Sequence, residues 1–493
     1  MSSKDNSSYK SIFKATSLFG GVQFYQILIQ IIRSKFVAVL LGPMGVGILG
    51  LLSSGMQLIQ SFTNMGLASS AVRDVSEANG LNDYARISKI VCVVRKLVWL
   101  TGLLGLVVTA ALSPVLSKTS FGNYDYTIPF IILSITLLLD QINAGQKVVL
   151  QGLRRLKDLA KCSAFGVTFG LFVSVPLYYW LGIKGIVPTL ILNSICSLFL
   201  SWLYSRKIKI EKIRVTPKEA IKEGRLMLVM GISMSLSGIF STAVAYAIRA
   251  FIQHTGGIEE VGLYHAGFVI MTTYVGLITN AIATDYYPRL AAINKDNAKC
   301  REAVSQQGEI GTMILAPMLT ACIIFMPFVL MLLYSDRFIK ADEYISWACL
   351  GMMLRLAAWV VSFLFVAKAE SKLFIVNEAV ACSYYLIFSI VGYKYWGLQG
   401  LGAAFALNYL VYFIQVYIIA KKRYQFSFSV SFIKTYLVQL LLVCICLCIV
   451  LTTDGLLKYI FGISIVTCST LLSLYGLNNK IGLMGFIKNK IRK

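Results

Sequence analysis

Apolar runs of about the length of a membrane span fill almost the whole of this chain, and they leave it one kind of environment. Of its 493 residues 57% are hydrophobic and 14% charged, and the mean hydropathy is +0.74. Soluble domains are roughly half apolar. A helix needs about 20 apolar residues to cross a bilayer. Runs of that size lie near 12–41, 46–70, 90–113, 126–148, 162–182, 185–205, 225–252, 260–286, 310–334, 344–367, 373–393, 398–420, 432–452 and 456–476. Alternating ten-residue strands, the pattern of an outer-membrane barrel, are absent. The expectation is an all-α integral membrane protein of about fourteen transmembrane helices.

A net charge of +24 in a soluble protein would point to nucleic acid. Its distribution argues for a membrane topology instead. The N-terminal tail and every second connection hold 34 of the 46 Lys and Arg, whereas the other connections hold 6 against 7 acidic residues. Basic residues stay on the cytoplasmic side, so both termini are expected there and no nucleic-acid partner is. The opening MSSKDNSSYKSIFKAT enters a run too long for a signal-peptide core and without a small-residue cleavage site, so it is expected to remain as the first helix. The 11 cysteines fall mostly in spans, Cys444, Cys446 and Cys448 alternate along one helix, and His254 and His265 have no metal-ligand spacing. No disulfide framework, metal or cofactor is expected.

Charges inside the spans are the informative exceptions. In IIRSKFVAVLLGPMGVG, residues 31–47, Arg33 and Lys35 sit within an apolar run, where an ion costs about 2.5–3.5 kcal/mol on insertion scales. A second buried-looking cation, Arg249, sits in YAIRAFIQHTGGIEEVGLY. One offset, constant to within a single position, carries Arg33 onto Arg249, Gly47 onto Gly262, Arg73 onto Arg289, Lys157 onto Lys372, Gly182 onto Gly397, Gly185 onto Gly400 and Asn193 onto Asn408. The repeat spans six helices, an even number, so its copies enter the membrane with one orientation. This gives two parallel six-helix lobes, 1–215 and 216–425, followed by 426–493 with helices 13 and 14 and a basic cytoplasmic tail.

Cations facing each other across the pseudo-axis would line a positive, hydrated cavity suited to pyrophosphate or acidic sugars. The candidate substrate ligands are Arg33, Lys35, Arg249 and Arg355; snorkelling to the interface is the structural alternative for Lys35 and Arg249. The same offset sets Arg355 against Asp140, and either could line the cavity or pair within its own lobe. Asp140 and Asp285 are the carboxylates nearest the membrane interior, too separated to name as an acid/base pair. No GxxxxGK[ST] phosphate loop is present, so energy must come from a proton or sodium gradient or from consumption of the product, with Asp140 as the ion-coupling candidate. No catalytic residues are named. A membrane-embedded polysaccharide polymerase or ligase is the enzymatic alternative, disfavoured by short outward connections.

An early Arg or Lys followed by LGPMGVG, a second helix ending NMGLASSAVRDVSE, and YYPRLAAIN at 286–294 together resemble the Wzx-type polysaccharide flippases of the multidrug/oligosaccharidyl-lipid/polysaccharide exporter superfamily. The resemblance implies transfer of undecaprenyl-pyrophosphate-linked oligosaccharide repeat units, of O-antigen, capsule or exopolysaccharide type, across the bacterial inner membrane by alternating access. It implies a monomer in the lipid bilayer, with a polysaccharide polymerase as a further partner. The lipid II flippases that it also resembles carry an extra helix pair that forms a groove for the lipid. A multidrug exporter of the same superfamily is the alternative, against which a cationic cavity argues. The charge pattern yields a direct test: a single Cys at Asp454 should react with an impermeant reagent from outside, and one at Lys212 should not. The reverse pattern would invert the topology.

Overall fold

The computed structural model describes residues 3–208, 210, 211, 213, 215–276, 286, 289–368, 370–453 and 455–481, with the backbone alone for 3–20, 233, 234, 274, 371 and 481. Among these residues there is no strand. The α-helices are α1 (Ser3–Thr63), α2 (Leu67–Gly80), α3 (Tyr84–Phe121), α4 (Thr127–Gly152), α5 (Leu156–Leu181), α6 (Ile186–Ser205), α7 (Pro217–Gly256) and α8 (Ile258–Val269). They continue as α9 (Asn297–Leu333), α10 (Asp342–Ala367), α11 (Ser371–Tyr424), α12 (Val430–Thr452) and α13 (Gly455–Ile481).

Among the described residues ten helical segments are long and apolar enough to cross a membrane, and three of these are of double length: Gly21–Thr63, Leu156–Ser205 and Lys372–Tyr424, with 43, 50 and 53 residues. At 1.5 Å per residue they measure about 65–80 Å, twice the ~30 Å hydrocarbon core. Each is interrupted at a glycine of positive φ: Gly42 (φ 64°, ψ −173°), Gly182 (φ 54°, ψ −133°) and Gly397 (φ 56°, ψ −137°). A Cβ would be strained there. The paired spans expected at 12–41 and 46–70, at 162–182 and 185–205, and at 373–393 and 398–420 are therefore the two legs of these segments. The span expected at 260–286 begins as α8, and Asp285 lies outside the described residues.

One expected boundary shifts. The sequence carries the second span to residue 70, but α1 stops at Thr63 and the chain turns through Met65 and Gly66, both at positive φ, into the separate α2. The close approach of α7 requires this turn. A Cβ on Gly66 would come within 2.1 Å of the Gly231 carbonyl oxygen, so the chain must be glycine on both sides of the crossing.

Contacts cluster into two compact units, Met1–Val261 and Gly262–Lys493. The boundary lies beyond residue 215 because α7 packs against α1, α2 and α3. Within the first unit small residues let α3 and α4 meet closely: Gly102 lies against Leu138 and Gln141, and Gly145 against Val98, the usual device where helices pack in lipid. Gln141 Nε2 donates to Thr101 Oγ1 at 2.9 Å across the same seam. Valines 91, 93, 94, 98, 148 and 149 build the core below it. The start of α7 is set by a capping box, in which Thr216 and Glu219 exchange side-chain and backbone hydrogen bonds around Pro217. Those bonds hold the exposed Glu219 carboxyl below its ordinary pKa.

In the second unit α10 is the central helix, with 72% of its apolar window buried against α9, α11 and α12. Backbone geometry recurs along the chain at one offset. The step from Gly42 to Gly257 (φ 88°, ψ 176°) equals the step from Gly182 to Gly397. The helices α4 and α10 have 26 residues each, and the same step leads from Thr127 to Asp342, their first residues.

The last two helices dock on α9 through a buried carboxylate. Glu309, 3% exposed, pairs with Lys480 of α13 and accepts from Ser431 at 2.8 Å and Thr435 at 3.1 Å, both of α12. Gly308 faces Phe432, and Gly476 faces Met313. Glu309→Ala removes the carboxylate partner of the Lys480 ammonium, which keeps the Ser431 hydroxyl at 3.0 Å as an acceptor, and the acceptor of the Ser431 and Thr435 hydroxyls. Because Lys480 is 41% exposed, water offsets part of the loss, and a cost of about 1–3 kcal/mol is expected. It should appear as a lower thermal transition of the purified protein; an unchanged transition would remove Glu309 as the anchor of α12 and α13.

Candidate functional site

Arg33 lines an open cavity of about 210 Å³ bordered by four helices of the first unit: Gln26 and Arg33 of α1, Lys147 of α4, Cys162, Ser163 and Gly170 of α5, and Asn193 and Ser197 of α6. No carboxylate lines it. Among the described residues neither Arg33 nor Lys147 has an ion-pair partner, and both polar side-chain atoms of Asn193 are buried without a hydrogen bond. A cation pair with an amide and two hydroxyls is a donor-rich pocket, chemically suited to an oxyanion.

Lys35 is two residues on, about 200° round the helix, and so projects from another face of α1. Arg249 is buried at 7% exposure and donates from Nη1 to the Ala245 carbonyl at 3.1 Å, in its own preceding turn. Neither Lys35 nor Arg249 is among the residues that line the Arg33 cavity. The glycine breaks also revise the sequence register. With Gly42 matched to Gly257, the counterpart of Arg249 is Ser34 rather than Arg33.

Asp140 lines a second cavity, of about 170 Å³, with Ser53, Gln57 and Gln60 of α1, Thr136 of α4 and Ser194 of α6. Its carboxylate accepts a hydrogen bond from Ser194 and lies within electrostatic range of Lys147, two turns further along α4. Asp140 and Lys147 thus sit on one helix beside two neighbouring polar cavities, an arrangement that sequence spacing alone does not single out.

Arg355 belongs to the second unit. Its guanidinium lies over the Tyr409 ring, 5.5 Å from the centroid, a favourable cation–π arrangement, and within electrostatic range of Glu378. Glu378 accepts a short hydrogen bond from the Tyr412 hydroxyl, and Gln415 Nε2 donates to Asn377 Oδ1 at 2.8 Å beside it. Its described neighbours, Tyr409 and Glu378, belong to its own unit. The sequence reading missed Glu378, although a signal was available: the offset that carries Gly182 onto Gly397 sets this carboxylate against the hydroxyl of Ser163. Outside the spans, Asp74 follows Arg73 on α2, where burial raises its carboxyl above the ordinary range.

Residues 36–343 match the model of a family described as polysaccharide biosynthesis protein. The chain belongs to this family. Curated relatives include the Lipid III flippase of Escherichia coli (strain K12) and that of Shigella flexneri. Each is 22% identical over 423 residues, which cover 82% of this chain and 96% of the relative. Among solved structures, the Lipid II flippase MurJ in an inward closed conformation is similar with a TM-score of 0.66 and 14% identity, covering 95% of this chain and 99% of that one. An inward-facing multidrug resistance MATE family transporter of the MOP superfamily has a TM-score of 0.69 at 15% identity, covering 81% and 94%. The fold is that of this superfamily, in agreement with the resemblance read from the first two spans.

Pairing within the second unit is measurable. In a double-mutant cycle on the purified protein, Arg355→Met and Glu378→Gln should each lower the thermal transition, with a coupling of about 1 kcal/mol or more. Additive effects would mean that Arg355 and Glu378 do not stabilise each other.

Proposed function

We propose that this protein is a non-enzymatic flippase. Its substrate is a polyprenyl-pyrophosphate-linked oligosaccharide repeat unit of O-antigen, capsule or exopolysaccharide type, carried across a bacterial inner membrane by alternating access. The observation that carries the reading is Arg33: an intramembrane cation that lines a polar cavity with a second cation and no carboxylate, in a chain of the polysaccharide biosynthesis family. The likeness to Lipid III flippases over 82% of the chain supports a lipid-linked substrate. A cationic drug would meet repulsion at this site, whereas a pyrophosphate would be held by it.

The architecture belongs to the same proposal: fourteen crossings, both ends cytoplasmic, and two parallel six-helix repeats. The double-length segments and the shared dihedrals at Gly42 and Gly257, and at Gly182 and Gly397, support it. Arg33, Lys35 and Arg249 act as ligands of the anionic head group, with Arg355 contributing through the second repeat. Asp140, in its polar cavity, is the protonatable group through which a proton or sodium gradient is coupled. A polyprenyl tail is too apolar for a hydrated cavity and stays in the bilayer, where α12 and α13 form a wall for it. The protein works as a monomer beside a polysaccharide polymerase.

Glycan export at matched membrane levels tests the reading. Arg grips two phosphate oxygens with a planar fork and Lys supplies a point charge, so Arg33→Lys should keep part of the activity, Arg33→Ala should lose most of it and Arg33→Glu should abolish it. A snorkelling cation of structural role predicts tolerance of Ala. Normal export by an Arg33→Ala, Arg249→Ala double variant would sink the proposal.

A further inference from the structure

At one end of the first unit the helices α1, α4 and α6 border an apolar groove whose counterpart in the second unit is filled by side chains. The groove measures about 680 Å³ and is lined by Ile48 and Leu52 of α1, Ile128 and Ile132 of α4, and Val187 and Ile191 of α6. That volume is within the roughly 300–1,000 Å³ of sites that hold small molecules. The offset that carries Gly182 onto Gly397 sets Pro129 against Tyr344, and Leu52 and Val187 against Gly267 and Gly402. In the second unit Tyr344 is fully buried. A Cβ on Gly267 would stand 2.7 Å from its ring, and one on Gly402 would come within 2.4 Å of its carbonyl oxygen and 2.8 Å of the Trp347 Cβ. One aromatic residue seated between two glycines closes that unit. The first unit has a proline in place of the ring, and larger side chains in place of both glycines.

A space walled by aliphatic side chains does not hold water and takes apolar ligands, and a wall without neighbouring atoms forfeits its dispersion contacts. Hydrocarbon suits this lining. What sets the groove apart from an ordinary lipid-facing surface is its rim. Among the described residues that line it Lys184 alone is charged. Lys184 is exposed and has no ion-pair partner among the described residues. Just before it in the chain Tyr179 and Trp180 are 73% and 76% exposed, and such aromatic side chains mark the level where hydrocarbon meets head groups. Lys184 therefore lies at head-group depth, and from Ile186 to Leu192 the lining follows α6 for about 9 Å. A cation at the interface beside an aliphatic trough has the layout of an anionic amphiphile. The second unit repeats the aromatic pair as Tyr395 and Trp396, 69% and 67% exposed, but carries Gln399 at the position of Lys184. The unit that lacks the groove lacks the cation as well.

We propose that this groove is a binding site for an anionic phospholipid of the surrounding bilayer, with the lipid phosphate beside Lys184 and an acyl chain along Ile132, Val187 and Ile191. The chain takes the place that Tyr344 and Trp347 fill in the second unit, and so joins the ends of α4 and α6 through a lipid where the other unit uses an aromatic residue. The head group is chosen by charge, because a Lys at the membrane surface attracts anionic lipids. The site is distinct from the cavity of Arg33, with which it shares no lining residue. It concerns a resident lipid, and it holds whatever molecule the protein transports.

The experiment combines native mass spectrometry with thermal melting of the purified, delipidated full chain in detergent, titrated with phosphatidylglycerol or with phosphatidylethanolamine. A ligand that binds the folded state raises its stability with its concentration. The wild type should retain one phosphatidylglycerol in preference to phosphatidylethanolamine and melt several degrees higher in its presence. Lys184→Gln, at an exposed position, should weaken phosphatidylglycerol binding about fivefold and erase the preference. Ile132→Trp puts into the groove the residue that the second unit carries there, and it should abolish both the bound lipid and the thermal response. Lys394→Gln removes an exposed cation beside the aromatic pair of the second unit and should change neither. The proposal is overturned if the wild type binds no phosphatidylglycerol, if it retains phosphatidylethanolamine equally well, or if Lys184→Gln leaves binding unchanged. Displacement of phosphatidylglycerol by an equimolar polyprenyl phosphate assigns the groove to a prenyl chain and overturns it too. If Ile132→Trp does not fold, Lys184→Gln decides alone.

Discussion

An ion within a membrane-spanning helix has to be paired, hydrogen-bonded or hydrated, because the surrounding lipid supplies none of these, and the placement of nearly every polar side chain in the spans follows from that. Glu309 is met by Lys480 and two hydroxyls. Glu378 is met by Tyr412, with Arg355 in range and in turn stacked over Tyr409. Arg249 folds back onto the carbonyl of its own preceding turn. Lys147 has Asp140 within electrostatic range, whereas Arg33 faces a space with donors from four helices and no carboxylate in its lining.

Glycine controls how the spans are connected. Connections as short as Gly42, Gly182 and Gly397 leave no loop residues to spare, and the chain breaks its helix at one residue of positive φ, a conformation with little cost for glycine alone. A second set of glycines acts by contact rather than by dihedral. A Cβ on Gly400 would meet the Gly392 carbonyl at 1.9 Å, and one on Gly185 would meet that of Leu177 at 2.6 Å. These crossings bring together the two legs of Leu156–Ser205 and of Lys372–Tyr424. In the first unit, that contact sets the Asn193 amide of α6 beside Gly170 of α5, where an added Cβ would lie 3.3 Å from the amide oxygen.

The docking of α12 and α13 has a different character from the packing within the six-helix sets. It combines a buried acid, a chain of hydroxyls and the Gln439 amide, which donates to the Ser473 hydroxyl at 3.0 Å and accepts from Ser469 at 2.6 Å. Polar contacts between helices in lipid are directional where dispersion is not, so they fix the rotation of the pair on α9. The outer faces remain apolar, with Leu441 and Leu471 about three-fifths exposed.

Membrane residence and the all-helical class were legible in the residues, because hydropathy and the need for about 20 apolar residues per crossing are local properties that burial elsewhere does not change; the end of the second span was not, since the turn at Met65 and Gly66 answers the approach of α7. The sharp turns at Gly182 and Gly397 were legible for the same reason, since a residue of positive φ there favours glycine. The partners of the intramembrane charges were decided by tertiary structure. Arg33 and Lys35 are neighbours in sequence, yet helical geometry turns them to different faces. Arg33 shares a cavity with Lys147 and Asn193 of distant helices, and Arg355 lies within electrostatic range of Glu378. Which cation finds a carboxylate depends on how helices rotate and approach, and those rotations are set by glycine contacts and buried hydrogen bonds that become visible once the helices are packed.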